Sequence, residues 1–176
     1  MTAAVSDLRR CGRAWVFGDE VNTDEMFPGF AMKMSIAEAA RHMFNATRPG
    51  WPDLVQPGDL VVGGRNFGMG SSRPVPLLFK ELGVGGIVAE EFNSLFLRNC
   101  VNYGLPALAV AGIREKVAEG QNLCMDLPNA SVENTTTGEK LYGGAFPEFI
   151  LEIIAGGGVL AKLENDGLLQ KASSEG

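Results

Sequence analysis

The chain has 176 residues, with 15 Lys and Arg against 21 Asp and Glu for a formal net charge of −6, 45% hydrophobic residues and 23 glycines. That composition belongs to one globular domain, long enough to bury about 70% of the surface of its unfolded chain without a disulfide or metal to hold it. An acidic balance with no Lys/Arg cluster argues against polyanion binding, while a single histidine, His42, rules out a two-histidine zinc site within the chain and leaves little scope for a Ser-His-Asp triad.

Residues 1–12 contain neither an apolar signal core nor a small-residue cleavage site, and the most apolar stretch, 105–113, is far too short to span a bilayer. A cytoplasmic location is therefore expected. The reading is of a single domain over 1–176, with flexible polar ends at about 1–10 and 170–176. Strands are predicted at 13–17, 59–63, 84–89 and 107–110, where short apolar, β-branched runs are bounded by Gly, Pro and Asp.

The first helix is predicted to open at Ser35, whose hydroxyl and Glu38 form a Ser-x-x-Glu capping box ahead of the stripe Ile36, Ala39, Ala40, Met43. A second follows Ser72, with Val75, Leu78, Phe79 and Leu82 on one face and Gly83 as its stop. A third carries Phe92, Leu95, Phe96 and Cys100, ending at Asn102-Tyr103-Gly104 before Pro106. Strands alternating with helices from 59 to 110 predict an α/β unit with parallel strands and crossover helices packed on the sheet.

Beyond it, 122–127 and 131–142 read as short strands joined by turns, one of them at Thr137-Gly138. Two closing helices, 146–154 and 159–169, flank Gly156-Gly157-Gly158. Cys11, Cys100 and Cys124 lie far apart with no CxxC pair, so reduced and mostly buried thiols are expected.

Chemistry concentrates in Gly63-Gly64-Arg65-Asn66-Phe67-Gly68-Met69-Gly70-Ser71-Ser72-Arg73. Glycines allow close backbone approach, and the first N–H groups of the helix that follows lack intrahelical partners, so the stretch predicts an anion site. It is not a phosphate loop of the GxxxxGK[ST] kind, because Met69 stands where that pattern needs lysine. Nor is it a dinucleotide fingerprint, since Arg73 occupies the third glycine position. Arg73 offers a planar fork suited to a carboxylate. Ser71, beside that guanidinium, could act as a base without histidine. On local sequence alone Ser71 and Ser72 read more simply as helix caps, Asp24 as a turn residue and His42 as a packing residue.

Several stretches appear in order along the chain: Gly18-Asp19-Glu20-Val21-Asn22-Thr23-Asp24, Pro28, Ala37-Glu38-Ala39-Ala40-Arg41-His42, the glycine-rich run through Arg73, and Arg98-Asn99 to Asn102-Tyr103-Gly104-Leu105-Pro106. Together they resemble the small subunit of 3-isopropylmalate dehydratase and homoaconitase-type hydro-lyases, the swivel domain of the aconitase superfamily, over about 13–108.

The resemblance implies an α/β fold, the swivelling β/β/α domain of the aconitase C-terminal type. It implies a large-subunit partner carrying a [4Fe–4S] cluster on its own cysteines, and no metal on this chain. It assigns Ser71 as the base and Asp24 as the acid that organises the site. Gly70, Ser72 and Arg73 would hold substrate carboxylate, and Phe30, Met32 and Lys33 would face the variable end of the substrate.

One departure bears on the reaction. The family pattern continues Ser-Ser-Arg with Glu-His-Ala, where this chain has Pro74-Val75-Pro76. A dehydratase of substituted malates that completes no isomerisation therefore stands beside the isomerase reading, as does a noncatalytic anion-binding swivel module.

Overall fold

The computed structural model describes residues 3–70 and 73–169. In chain order these form α1 (Ala3–Ser6), β1 (Arg9–Val16), α2 (Thr23–Met26), a 3-10 turn (Gly29–Ala31), α3 (Ile36–Ala40), α4 (Trp51–Leu54), β2 (Leu60–Gly63) and α5 (Val75–Glu81). There follow β3 (Gly86–Ala89), α6 (Ser94–Tyr103), β4 (Ala107–Ala109), α7 (Ile113–Lys116), β5 (Asn122–Asp126), β6 (Ser131–Asn134), β7 (Lys140–Tyr142), α8 (Glu148–Ala155) and α9 (Val159–Asn165).

The strands form one sheet in the order β4-β3-β2-β1-β5-β6-β7. Strands β1 to β4 are mutually parallel, as the strand-helix alternation over 59–110 predicts for β2 to β4, and β5 to β7 join antiparallel. Strand β1 serves two partners along its length: Arg9 to Arg13 pair with β5, and Ala14 to Val16 pair with β2. That division lets the sheet curl, and beyond β7 the Gly144 N–H donates to the Ala109 carbonyl of β4 at 3.3 Å, so the two edges meet.

Successive side chains of a strand point to opposite faces, and here each face of the parallel strands has its own core. Val61, Ile87 and Ala107 face a helical layer with Phe44, Trp51, Leu78, Phe79 and Phe96. Leu60, Val62, Val88 and Leu108 face Leu123, Met125 and Val132 of the antiparallel strands, closed by Leu151 and Ile154 of α8. The strand-on-strand contact is close: a Cβ on Gly86 would lie 2.4 Å from Met125 Cε. The layers are thus strand, strand and helix.

Several expectations are corrected. Strand β1 starts at Arg9, and Val5 and Leu8 are buried, so the N-terminal segment is docked where a flexible end through residue 10 was expected. The far end, 170–176, lies outside the described residues. Helix α3 keeps its capping box but ends at Ala40, with Met43 still buried. The short helices α1, α2, α4 and α7 have too few residues for a readable period. Cys100 is a free, buried thiol, but Cys11 and Cys124 form a disulfide rather than two thiols. They stand directly opposite in the β1–β5 register, which brings together residues 113 apart in sequence.

Candidate active site

The glycine-rich run leaves β2 and threads between two neighbouring loops. On one side the Gly68 N–H donates to the Val21 carbonyl at 2.8 Å and the Thr23 N–H to the Met69 carbonyl at 2.9 Å. On the other, Phe67 N–H donates to Glu91 and Asn93 N–H to the Phe67 carbonyl, both at 2.9 Å. Two glycines are dictated by space as well as by conformation. Gly68 has φ of 86° and a Cβ there would sit 2.1 Å from the Phe96 ring; Gly70 has φ of 112° and its Cβ would lie 2.9 Å from Thr23 Oγ1. Below the loop, Phe67 is fully buried and packs edge-on against Phe92 and Phe96.

The opposing loop is pinned beside it. The Asp19 carboxylate accepts the Arg65 backbone N–H at 2.8 Å, and this bond, with the nearby Arg114 guanidinium, holds its carboxyl below the usual carboxylate range. Asn22 then caps α2, its Oδ1 accepting the Glu25 N–H at 2.9 Å. The cap starts a single helical turn that buries Thr23 and leaves Asp24 on the surface.

From there Asp24 meets Arg73 across 49 positions of sequence. Arg73 Nη1 lies 2.6 Å from Asp24 Oδ1 and donates to the Phe27 carbonyl at 2.6 Å. The Arg73 side chain is 21% exposed and that of Asp24 69%. Both contacts are made by one nitrogen of a guanidinium that carries five N–H donors in all.

Ser71 and Ser72, expected as base and carboxylate donor, lie outside the described residues. The structure does revise the expected helix entrance. Val75 N–H is taken by the Arg73 carbonyl at 2.7 Å, Pro76 has no N–H, and Leu77 N–H reaches the Pro74 carbonyl at 3.2 Å. The first turn of α5 therefore offers no spare donor from these three residues, and the cationic group at this entrance is Arg73.

The segment after Pro28 is tied to the same place, because Arg73 grips the carbonyl of Phe27. Its 3-10 turn buries Ala31 but exposes Phe30 (56%), Met32 (45%) and Met34 (36%). Lys33 is exposed between the two methionines. Gly70, Asp24 and Arg73 thus come together with the start of this apolar ledge. Asp24 and the ledge side chains Phe30 and Met32 are all exposed. Sequence reasoning missed the Phe27 carbonyl that orients Arg73 and the buried Thr23 beneath Gly70; the Asn-Thr-Asp capping signal was the available clue to the second. Among the described residues no group of three or more His, Cys, Asp or Glu could hold a metal ion, and no helix is long and apolar enough to cross a membrane.

Residues 32–112 match the aconitase C-terminal domain family. The chain is 42% identical over 155 residues to the isopropylmalate/citramalate isomerase small subunit of Methanocaldococcus jannaschii, covering 87% of this chain and 92% of that protein. It is 37% identical over 163 residues to a 3-isopropylmalate dehydratase small subunit of Thermotoga maritima, covering 91% and 98%. The crystal structure of a 3-isopropylmalate dehydratase from M. jannaschii superposes with a TM-score of 0.84 at 30% identity, over 91% of this chain and 96% of that one. Glycine loop, Asp24–Arg73 pair and layered sheet thus sit in a chain that matches these proteins nearly end to end: it belongs to the 3-isopropylmalate dehydratase small-subunit family, the hydro-lyase small subunits of the aconitase superfamily.

Proposed function

We propose that this chain works with a large subunit to dehydrate or isomerise a 2-hydroxy di- or tricarboxylic acid of the 3-isopropylmalate type. The observation that carries the reading is Arg73, held through Nη1 by Asp24 and the Phe27 carbonyl beside an exposed apolar ledge. A guanidinium next to apolar side chains suits a molecule with a carboxylate at one end and an alkyl group at the other. In this reading Arg73 orients the carboxylate, with Ser72 and the Gly70 backbone supporting it. Ser71 takes or returns the proton on the neighbouring carbon. Phe30 and Met32 border the variable end, and Lys33 reaches a further carboxylate on substrates that carry one.

The cysteines of this chain do not fit an iron–sulfur cluster. Cys11 and Cys124 are bonded to each other, and burial pushes the Cys100 thiol far above its ordinary range, away from the thiolate a cluster requires. The reading therefore assigns a [4Fe–4S] cluster to the large subunit, where bound iron would act as a Lewis acid on the substrate hydroxyl. This chain's residues bind the acid, orient it and move a proton at the adjacent carbon. Because the site is an open face, the isolated chain should be inactive.

The decisive assay combines the full chain with its cluster-bearing large subunit on 3-isopropylmalate, dimethylmalate and citramalate. Ser71→Ala should lower kcat by about 10²–10⁴-fold, the usual share of positioned acid–base catalysis. Undiminished turnover in that variant removes the catalytic assignment. A second reading, dehydration without rehydration to an isomer, is favoured by the first turn of α5. Pro74 and Pro76 stand there in place of an acid and a small residue, and Val75 N–H is consumed. Analysis of the product for a released alkene acid against a rehydrated isomer distinguishes the two.

A further inference from the structure

His42 has no part in the chemistry proposed above, yet it makes a specific contact at the edge of the site. It lies just past α3, half-buried, with its backbone N–H donating to the Ala39 carbonyl at 3.0 Å. Its imidazole stands edge-on to Phe30, ring centroids 5.1 Å apart and planes at 77°. That is the T-shaped arrangement in which the positive edge of one ring meets the negative face of another.

The two backbones under this contact are both anchored at α2 and its C-terminal cap. Phe30 follows the Phe27 carbonyl held by Arg73, while the His42 segment is tied through the Phe44 N–H, which donates to the Glu25 carbonyl of α2 at 2.9 Å. With both backbones held, the open question is the direction of the Phe30 side chain. It is 56% exposed on a three-residue turn whose neighbour Ala31 takes the buried place. Such a side chain samples several rotamers unless something braces it. Among the described residues His42 is the one ring packed against it.

We propose that His42 is a positioning residue for substrate selection: by bracing the Phe30 ring it sets the width of the apolar end of the site, and so the size of the alkyl substituent accepted. It touches no substrate and acts through Phe30. The proposal rests on the hydro-lyase reading above, in which Phe30 borders the variable end of the substrate.

His42 is the chain's sole histidine, so its ring protons give unique lines in the proton NMR spectrum of the full chain. They should be displaced by the Phe30 ring current and return to free-imidazole positions in Phe30→Ala. In the complex with the large subunit, the kcat/KM ratio for 3-isopropylmalate over citramalate should change by about threefold or more in His42→Ala, through KM, as expected from loss of an aromatic pair. His42→Phe, which keeps a ring in place, should restore the ratio. In a Phe30→Ala background His42→Ala should add little. Should His42→Ala not fold, His42→Gln replaces it.

Undisplaced histidine lines, an unmoved ratio, or an undiminished His42→Ala effect without Phe30 would each overturn the proposal. If the wild-type complex turns over none of the acids while the ring-current displacement is present, the hydro-lyase reading has failed and this proposal goes with it. Turnover with unmoved selectivity removes this proposal alone.

Discussion

Asp24 shares its Oδ1 with the same Arg73 nitrogen that donates to the Phe27 carbonyl, and in the proposed reaction this geometry suits it to positioning. A carboxylate that far engaged with a guanidinium is better suited to aiming the fork than to moving a proton. Its 69% exposure lets water screen the pair, so its contribution is modest. Asp24→Asn should accordingly raise KM by about three- to tenfold with a smaller effect on kcat, the range of one weakened charge-assisted bond. Steady-state kinetics of the reassembled enzyme measure this; a kcat loss as large as that of Ser71→Ala would mean that Asp24 itself handles the proton. The residue types of the proposed site stand together in the sequence, where a fork, two hydroxyls and glycines share one run. The partner of Arg73 was not, because Asp24 lies on a separate one-turn helix and a backbone carbonyl leaves no mark in sequence.

At the scale of elements, the glycine-rich loop is shaped by its neighbours more than by the helix after it. Hydrogen bonds to the loops at 18–24 and 90–93 hold it on both sides, whereas α5 is capped by Pro74, has Pro76 in its first turn and spends its first donors on Arg73 and Pro74. The capping box at Ser35 is realised because it is local, complete within four residues. Strand β1 is the opposite case. Its first half is polar, Arg9-Arg10-Cys11, and becomes strand only by pairing with β5, which the period of its own residues does not reveal. The Cys11–Cys124 bond crosses that pairing and closes a loop with sequence separation 113. Cys11→Ser should cost about 2–4 kcal/mol, the common range for a bridge over a long loop. Denaturant unfolding without reductant measures it, and the variant should match the reduced wild type. Equal stability in oxidised wild type and variant would show that the bond contributes nothing to the β1–β5 junction.

Across the whole molecule, two cores share one curled sheet, and Cys100 lies deep in the helical one. Burial raises its thiol pKa, since the charged thiolate is penalised away from water. As pH rises through the ordinary thiol range the unfolded chain loses this proton and the folded chain keeps it, so this group makes stability fall with rising pH. Iodoacetamide should therefore label Cys100 at pH 8 only as fast as the domain opens globally, and speed up in step with denaturant-induced unfolding. Labelling as rapid as that of a free thiol would contradict the packing described.

The exposed face carrying Asp24, Phe30 and Met32 is also a whole-molecule property, and in the proposed function it is the face that the large subunit covers. By itself the sequence determined the α/β alternation, the capping box at Ser35, the acidic balance and the glycine-serine-arginine run, because each depends on composition or on residues within a few positions of one another. Tertiary structure alone decided which cysteines pair, that β1 serves two halves of one sheet, that Asp24 and the Phe27 carbonyl aim Arg73, and that His42 meets Phe30. Each of these joins separate segments whose mutual register is set by burying two apolar faces at once, and no short-range pattern encodes that.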